Sequence, residues 1–144
     1  MKFAPALELG ETMVLLPGPI RKFQVQDGWS YDRHKVLLEE GDRTVGSTRN
    51  GADISIEGDV AFQGANRLLS ELEMSSALES LRELVNGHVG EDLKLYLFQD
   101  ELGNCRYFER CSVVKLRCDL SEPELYQYQL TIHAGQPSMQ ETVV

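Results

Sequence analysis

The C-terminal half of the chain alternates apolar and polar residues with little interruption. Leu93, Leu95 and Leu97 alternate with Lys94, Tyr96 and Phe98, and Tyr126, Tyr128, Leu130 and Ile132 alternate with Gln127, Gln129, Thr131 and His133. A period of two places successive side chains on opposite faces of a strand. Strands are therefore predicted over Leu93–Gln99, Cys105–Cys111, Ser112–Cys118 and Glu124–Ala134. The first is apolar on both faces, which suits a strand in the interior of a sheet. A turn at Asp100–Asn104 makes Cys105–Glu109 its hairpin partner. On the third strand Val114, Leu116 and Cys118 are expected inward and Lys115 and Arg117 outward. Upstream, Ala52–Ala61 repeats the pattern. Ile54, Ile56 and Val60 share one face with Gly58, and Asp53, Ser55, Glu57 and Asp59 form an acidic row on the other.

Helical spacing appears between these strands. Met74, Leu78, Leu81 and Val85 make an apolar stripe, assisted by Ala77 and Leu84. Ser76 with Glu79 three residues on has the spacing of a capping box, and Gly87 suits a left-handed cap. Gly64 and Asn66 argue for a loop before the helix.

The first third is punctuated by Pro5, Pro17 and Pro19, so residues 1–20 read as an arm or edge strand. Lys22–Tyr31 is a predicted strand with Phe23, Val25, Trp29 and Tyr31 at period two, and Gly28 marks a bulge or bend. Trp29 and Tyr31, like Tyr126 and Tyr128, are expected in the core. Lys35–Glu39 is a short strand closed by the Glu40-Gly41-Asp42 turn, and Gly46–Gly51 reads as a loop or a tight turn. Residues 136–144 have no period and are expected to form a flexible tail. The organisation is then an arm over 1–20, one domain over 21–135 and a tail over 136–144. The fold class is mainly β with one α-helix. A β-sandwich or partly closed barrel of about seven strands with a flanking helix satisfies the pattern.

Composition narrows the functions open to such a fold. At 144 residues and 42% hydrophobic content the chain supports one domain with a real core. A net charge of −9 denies it the basic footprint of a tight nucleic-acid binder. No segment reaches the roughly 20 apolar residues of a spanning helix, and the start lacks the apolar core of a leader, so synthesis and residence in the cytoplasm are expected before assembly. Cys105, Cys111 and Cys118 are odd in number and their spacing fits no zinc pattern. His34, His88 and His133 have no acidic or cysteine neighbour at ligand spacing, and no glycine-rich phosphate loop is present. Asp53, Glu57 and Asp59 on a straight strand stand about 7 Å apart at neighbouring outward positions, which favours a solvated face over a calcium loop. Catalytic residues, metal and cofactor are accordingly expected to be none. The functional reading of Asp53, Ser55, Glu57 and Asp59 is an electrostatic lining that keeps a passing polyanion from adhering.

The order of these elements resembles the opening of distal tail proteins of long-tailed bacteriophages. The resemblance rests on Phe23–Trp29–Tyr31, the Gly41-Asp42 turn, Gly46-x-x-Arg49-x-Gly51 and Asp53-Ile54-Ser55-Ile56-Glu57-Gly58. It continues with the helix before Leu93-Lys94-Leu95-Tyr96-Leu97-Phe98 and the closing Tyr128-Gln129-Leu130-Thr131-Ile132. It covers roughly residues 20–135 in layout and weak motifs. It is similar, too, to the related tail tube proteins. The resemblance implies a virion structural protein without catalytic residues, forming hexameric rings around a channel through which double-stranded DNA passes without specific binding. It also implies neighbouring tail proteins as partners, with the two terminal segments as inter-ring contacts. Many distal tail proteins carry a second domain that 144 residues do not accommodate, which shifts weight to a tube or minor ring protein. The other reading open at this point is a small monomeric β-barrel that binds an apolar ligand or partner peptide.

Overall fold

The computed structural model describes residues 3–35, 37, 40–63, 67–99 and 104–143. Among these the chain forms strands β1 (Phe3–Leu9), β2 (Thr12–Leu15), β3 (Gly18–Gln26), β4 (Trp29–Lys35), β5 (Asp42–Arg49), β6 (Ala52–Gln63) and β7 (Arg67–Leu68). Helix α1 (Glu71–Gly87) follows, then β8 (Leu93–Gln99), β9 (Asn104–Asp119), β10 (Tyr126–Ala134) and β11 (Gln140–Val143). The main sheet is antiparallel in the order β2-β1-β8-β9-β10-β6-β3, with β11 on β9 and β7 on β6. Strands β4 and β5 make a separate two-stranded sheet.

The mainly β, one-helix architecture is the expected one. The sheet is rolled but not closed, because its terminal strands β2 and β3 do not pair yet are joined by Leu16 and Pro17 alone. Three Cα steps hold the ends of the two strands within roughly 11 Å of each other. The Tyr128 hydroxyl, from β10, donates to the Pro17 carbonyl and pins this corner from inside the roll. Beneath that ring, a Cβ on Gly58 would lie 2.7 Å from Tyr128 ring atoms, so only glycine lets Tyr128 lie across β6. The inner face of the roll is one apolar cluster that joins Leu7, Leu9, Ile54, Ile56, Leu95, Phe108, Leu130 and Ile132 to Met74, Leu78 and Leu81 of α1. Each such side chain contributes on the order of 1.5–3 kcal/mol by leaving water.

Several local expectations are corrected. The proposed arm is, over Phe3–Leu15, a hairpin of the main sheet, with Leu7 and Leu9 in the core. Pro5 is tolerated because the β1–β2 ladder begins at Ala6, and the Pro5 carbonyl accepts from Leu16 N at 3.0 Å on the side where its own N–H is missing. The tail is, over Gln140–Val143, a strand paired to β9. Of the loop or tight turn expected at Gly46–Gly51, only Asn50–Gly51 is a connection, because Asp42–Arg49 is a strand paired to β4. Gly28 does mark a break, after which the chain leaves the main sheet. Trp29 and Tyr31 are not core residues, being 55% and 47% exposed on that hairpin. The two strands expected over Cys105–Cys118 are one continuous strand with irregularities. At the Thr131/Ile132 step Ile132 pairs with Val113 and Thr131 with Lys115. Val114 is therefore the extra residue and stands 65% exposed, while Val113 turns inward in its place.

The helix starts six residues earlier than the Ser76 signal implies. Ser70 is the N-cap, its hydroxyl accepts from Glu73 N, and the Glu73 carboxylate reaches back to Ser70 N. The same Ser-x-x-Glu spacing recurs at Ser70, Ser76 and Ser80, and the earliest copy is used because it lets Met74 join the buried stripe. Gly87 is helical and the C-cap is His88, so the left-handed glycine comes later, at Gly90 with φ +86°. The expected loop at 64–66 and the turn at 100–103 lie outside the described residues.

Candidate functional site

Two neighbouring features stand out: the outward polar face of β3, β6, β10 and the C-terminal half of β9, and the β4–β5 hairpin that leaves this sheet at one end.

Strand β6 carries the face. Ala52, Ile54, Ile56, Gly58 and Val60 are buried and Asp53, Ser55, Glu57 and Asp59 point away from the core, as the alternation predicts. Pairing decides what stands beside them. Glu57 is opposite Lys22 on β3 and Gln129 on β10, and Gln129 is opposite Arg117 on β9. Ser55 is opposite Gln24 and Thr131, and Thr131 is opposite Lys115. Arg21 Nε donates to Asp59 Oδ1 at 2.6 Å, and His133 Nδ1 lies 2.9 Å from Asp53 Oδ1. The row that is acidic along one strand thus becomes a balanced grid across four: Asp53, Glu57, Asp59 and Asp119 against Arg21, Lys22, Lys115 and Arg117. A shallow depression of about 210 Å³ lies within it, lined by Arg21, Glu57, Arg117, Asp119, Gln127, Tyr128 and Gln129. The Ser121 hydroxyl and amide, both bonded to Asp119, hold its carboxyl below the usual range.

The outward face of β2, β1, β8 and the N-terminal half of β9 is different. Tyr96 stacks on Phe98 with ring centroids 5.8 Å apart and on Tyr107 at 5.0 Å, and the Lys94 ammonium lies 5.3 Å from the Tyr107 ring centre. This aromatic ladder covers Ala6 and Cys105, which explains two buried small residues on an outer face. Burial and the hydrogen bond that its hydroxyl donates to the Glu8 carboxylate push the Tyr96 phenol up. Leu15 and Met13 beside it are exposed on the edge strand β2.

The hairpin is held at its root by polar contacts. Asn50 N donates to the Gly28 carbonyl at 2.8 Å, and Ser30 Oγ donates to Asn50 Oδ1 at 3.1 Å. Arg49 donates from Nη2 to Asp27 Oδ1 at 3.0 Å and from Nη1 to Ser138 Oγ at 3.3 Å. Gly51 is pressed against β10, where a Cβ would meet the Ala134 carbonyl at 2.6 Å.

Neither feature has the make-up of a reaction centre. Among the described residues no three His, Cys, Asp or Glu side chains gather to hold a metal ion. The three cysteines are free thiols. Burial pushes the Cys111 thiol up to about 12 and raises those of Cys105 and Cys118 as well, which is the opposite of an activated nucleophile. Two histidines do have acidic neighbours that sequence spacing hid or understated. His133 meets Asp53 across the sheet, and His88 Nδ1 lies 2.7 Å from Glu91 Oε2 after the helix. Among the described residues each is a pair without a third group bonded to it. No helix among the described residues is long and apolar enough to cross a membrane.

No family model matches the sequence, and no curated protein matches it. Solved structures do. A chain of the tail of the empty gene transfer agent (GTA) particle, refined with C6 symmetry, aligns over 99% of this chain and 96% of its own at 15% identity with a TM-score of 0.60. The SPP1 Dit protein, described as a hub adsorption apparatus paradigm in phages infecting Gram-positive hosts, aligns over 94% of this chain at 11% identity with a TM-score of 0.65. This chain spans about half of that protein, 51%. The SPP1 tail tube aligns over 99% of this chain and 77% of its own at 10% identity with a TM-score of 0.51. The chain therefore has the phage tail tube-like fold, shared by tail tubes and the distal tail hub.

Proposed function

We propose that this protein is a structural subunit of a phage-type tail, assembling with copies of itself into a ring, hexameric in the simplest case, that surrounds the DNA channel. The observation that carries the reading is a tube-like fold over nearly the whole chain, in a protein whose described residues gather no reaction centre. Free sheet edges support it. Strands β2 and β3 end the sheet, and among the described residues the second edge of β9 beyond Cys111 has no partner. Edges of this kind pair through main-chain hydrogen bonds, and closing a ring of copies removes them from solvent. The hairpin with exposed Trp29 and Tyr31 supplies a contact to the next ring or a neighbouring tail protein. A lone two-stranded ribbon is marginally stable in water, which favours a partner for it. The ring sits in the virion tail, as a tube or distal ring component.

In this reading the β6 face with Asp53, Ser55, Glu57 and Asp59 lines the channel. Its balance of acids and bases gives DNA no basic surface to bind. Mass and negative-stain images of the purified protein test assembly: rings of about six subunits or stacked tubes are expected. A strict monomer at every concentration, also with tail neighbours added, overturns the ring. Asp53→Lys with Glu57→Lys leaves two of the four acids and raises the four bases to six on this face. Ring formation should persist while DNA ejection slows; unchanged ejection rules the lining out.

A further inference from the structure

The hairpin projects from two short roots, Asp27–Gly28 and Asn50–Gly51, and has no ladder partner in the main sheet. Contacts at the roots therefore govern its direction. Most of them stay within the root itself: Asn50 to Gly28 and to Ser30. Arg49 differs, because its guanidinium forks. One arm takes Asp27 at the opposite root, and the other takes Ser138, which is 89 residues away in the chain. Ser138 belongs to the segment between β10 and β11. That segment is anchored at its start, where Gly135 N donates to the Arg110 carbonyl at 2.9 Å. At its end it runs into β11, a four-residue strand that pairs with β9 alone.

We propose that Arg49 is a positioning residue that latches the β4–β5 hairpin to the C-terminal segment, so that hairpin direction and the seating of β11 on β9 are coupled. The planar fork suits this role, since a lysine has a point charge and cannot hold two acceptors in fixed geometry. A partner that shifts residues 135–139 then also frees or redirects the hairpin. The use of that coupling in assembly rests on the tail reading above; the latch itself is a property of the single folded chain.

Trp29 is the only tryptophan in the sequence and sits at the hairpin root, so its fluorescence anisotropy reports the hairpin directly. The test compares dilute, unassembled wild type with Arg49→Ala, Arg49→Lys and Ser138→Ala. Arg49→Ala should add a nanosecond depolarisation of Trp29. It should also speed hydrogen exchange roughly two- to five-fold in both β4–β5 and β11, the range that one exposed charged contact supports. Ser138→Ala should act in the same direction, with no added effect in the double variant, and Arg49→Lys should fall between. Arg82→Ala, which removes the helix pair with Glu79 at 3.2 Å, is the control and should leave Trp29 unchanged. Unaltered Trp29 anisotropy in Arg49→Ala overturns the latch. So does a loosened hairpin with β11 exchange unchanged, because Arg49 would then serve only its own root. Either failure leaves the ring subunit standing, and failure to form rings with a responsive Trp29 leaves the latch standing.

Discussion

Strand β10 and the β4–β5 hairpin are built from similar material and meet opposite fates. Both alternate, and both place aromatic residues two apart: Tyr126 and Tyr128 on β10, Trp29 and Tyr31 on β4. Tyr128 is 2% exposed, with α1 over the inner face of its strand, whereas Trp29 and Tyr31 face solvent. Strand β10 is paired on both edges, with β6 and with β9, and strand β4 only with β5. The difference teaches that alternation specifies a strand and its two faces. Burial of a face depends on a second layer, and among the described residues the hairpin has none.

The sharpest way to break this comparison is truncation on each side of it. Leu130→Ala removes a side chain buried against the helix layer and should cost about 2–5 kcal/mol, read as a lowered denaturant midpoint. Trp29→Ala should cost no more than ~0.5 kcal/mol by the same measurement, because its ring is half in water. A loss at Trp29 approaching that at Leu130 would mean that the hairpin packs on the body after all.

A smaller effect separates Ser70 from Ser76, which share a capping spacing. Ser70→Ala should destabilise by about 1 kcal/mol, since it leaves Glu73 N without its cap, and Ser76→Ala should stay within ~0.5 kcal/mol. Equal losses would move the helix start back to Ser76.

The last test is silent at neutral pH. Burial raises the Cys111 thiol from 9.0 to about 12 in the folded protein. A raised folded value contributes stability that is intact below the unfolded value and is lost as pH climbs through the folded one. Stability should therefore be flat near pH 7–8 and decline between about pH 9 and 12, with Cys111→Ala showing a shallower decline. A denaturant midpoint in that variant with the wild-type slope would place the alkaline loss on the buried tyrosines instead.

The polar face shows how far one strand can be read alone. Asp53, Ser55, Glu57 and Asp59 were legible as one face of β6 because side-chain period is a local property of backbone geometry. Their electrostatic setting was not legible. Arg21 and Lys22 on one neighbour, and Lys115 and Arg117 two strands away, reach the same face only through pairing registers that no local pattern specifies. Val114 makes the same point within a strand, since a one-residue bulge exchanged its place with Val113. Pro5 misled in the opposite direction. With Pro17 and Pro19 it argued for an arm or an edge strand; the edge strand is met at β2, but Pro5 itself lies in β1, where the β1–β2 ladder starts one residue later and accommodates it.

The sequence by itself determined that this chain is mainly β with one helix, where β6, β8 and β10 run, and which faces of α1 and β10 are apolar. These follow from periodicity and from the side chains within a few residues. Only the tertiary structure decided that the N-terminal residues complete the sheet, that β11 returns to β9, that Trp29 and Tyr31 stay outside, and that the acidic row is matched by bases. Each of those outcomes depends on a partner far away in the chain, chosen by the packing of the whole roll and not by any local preference.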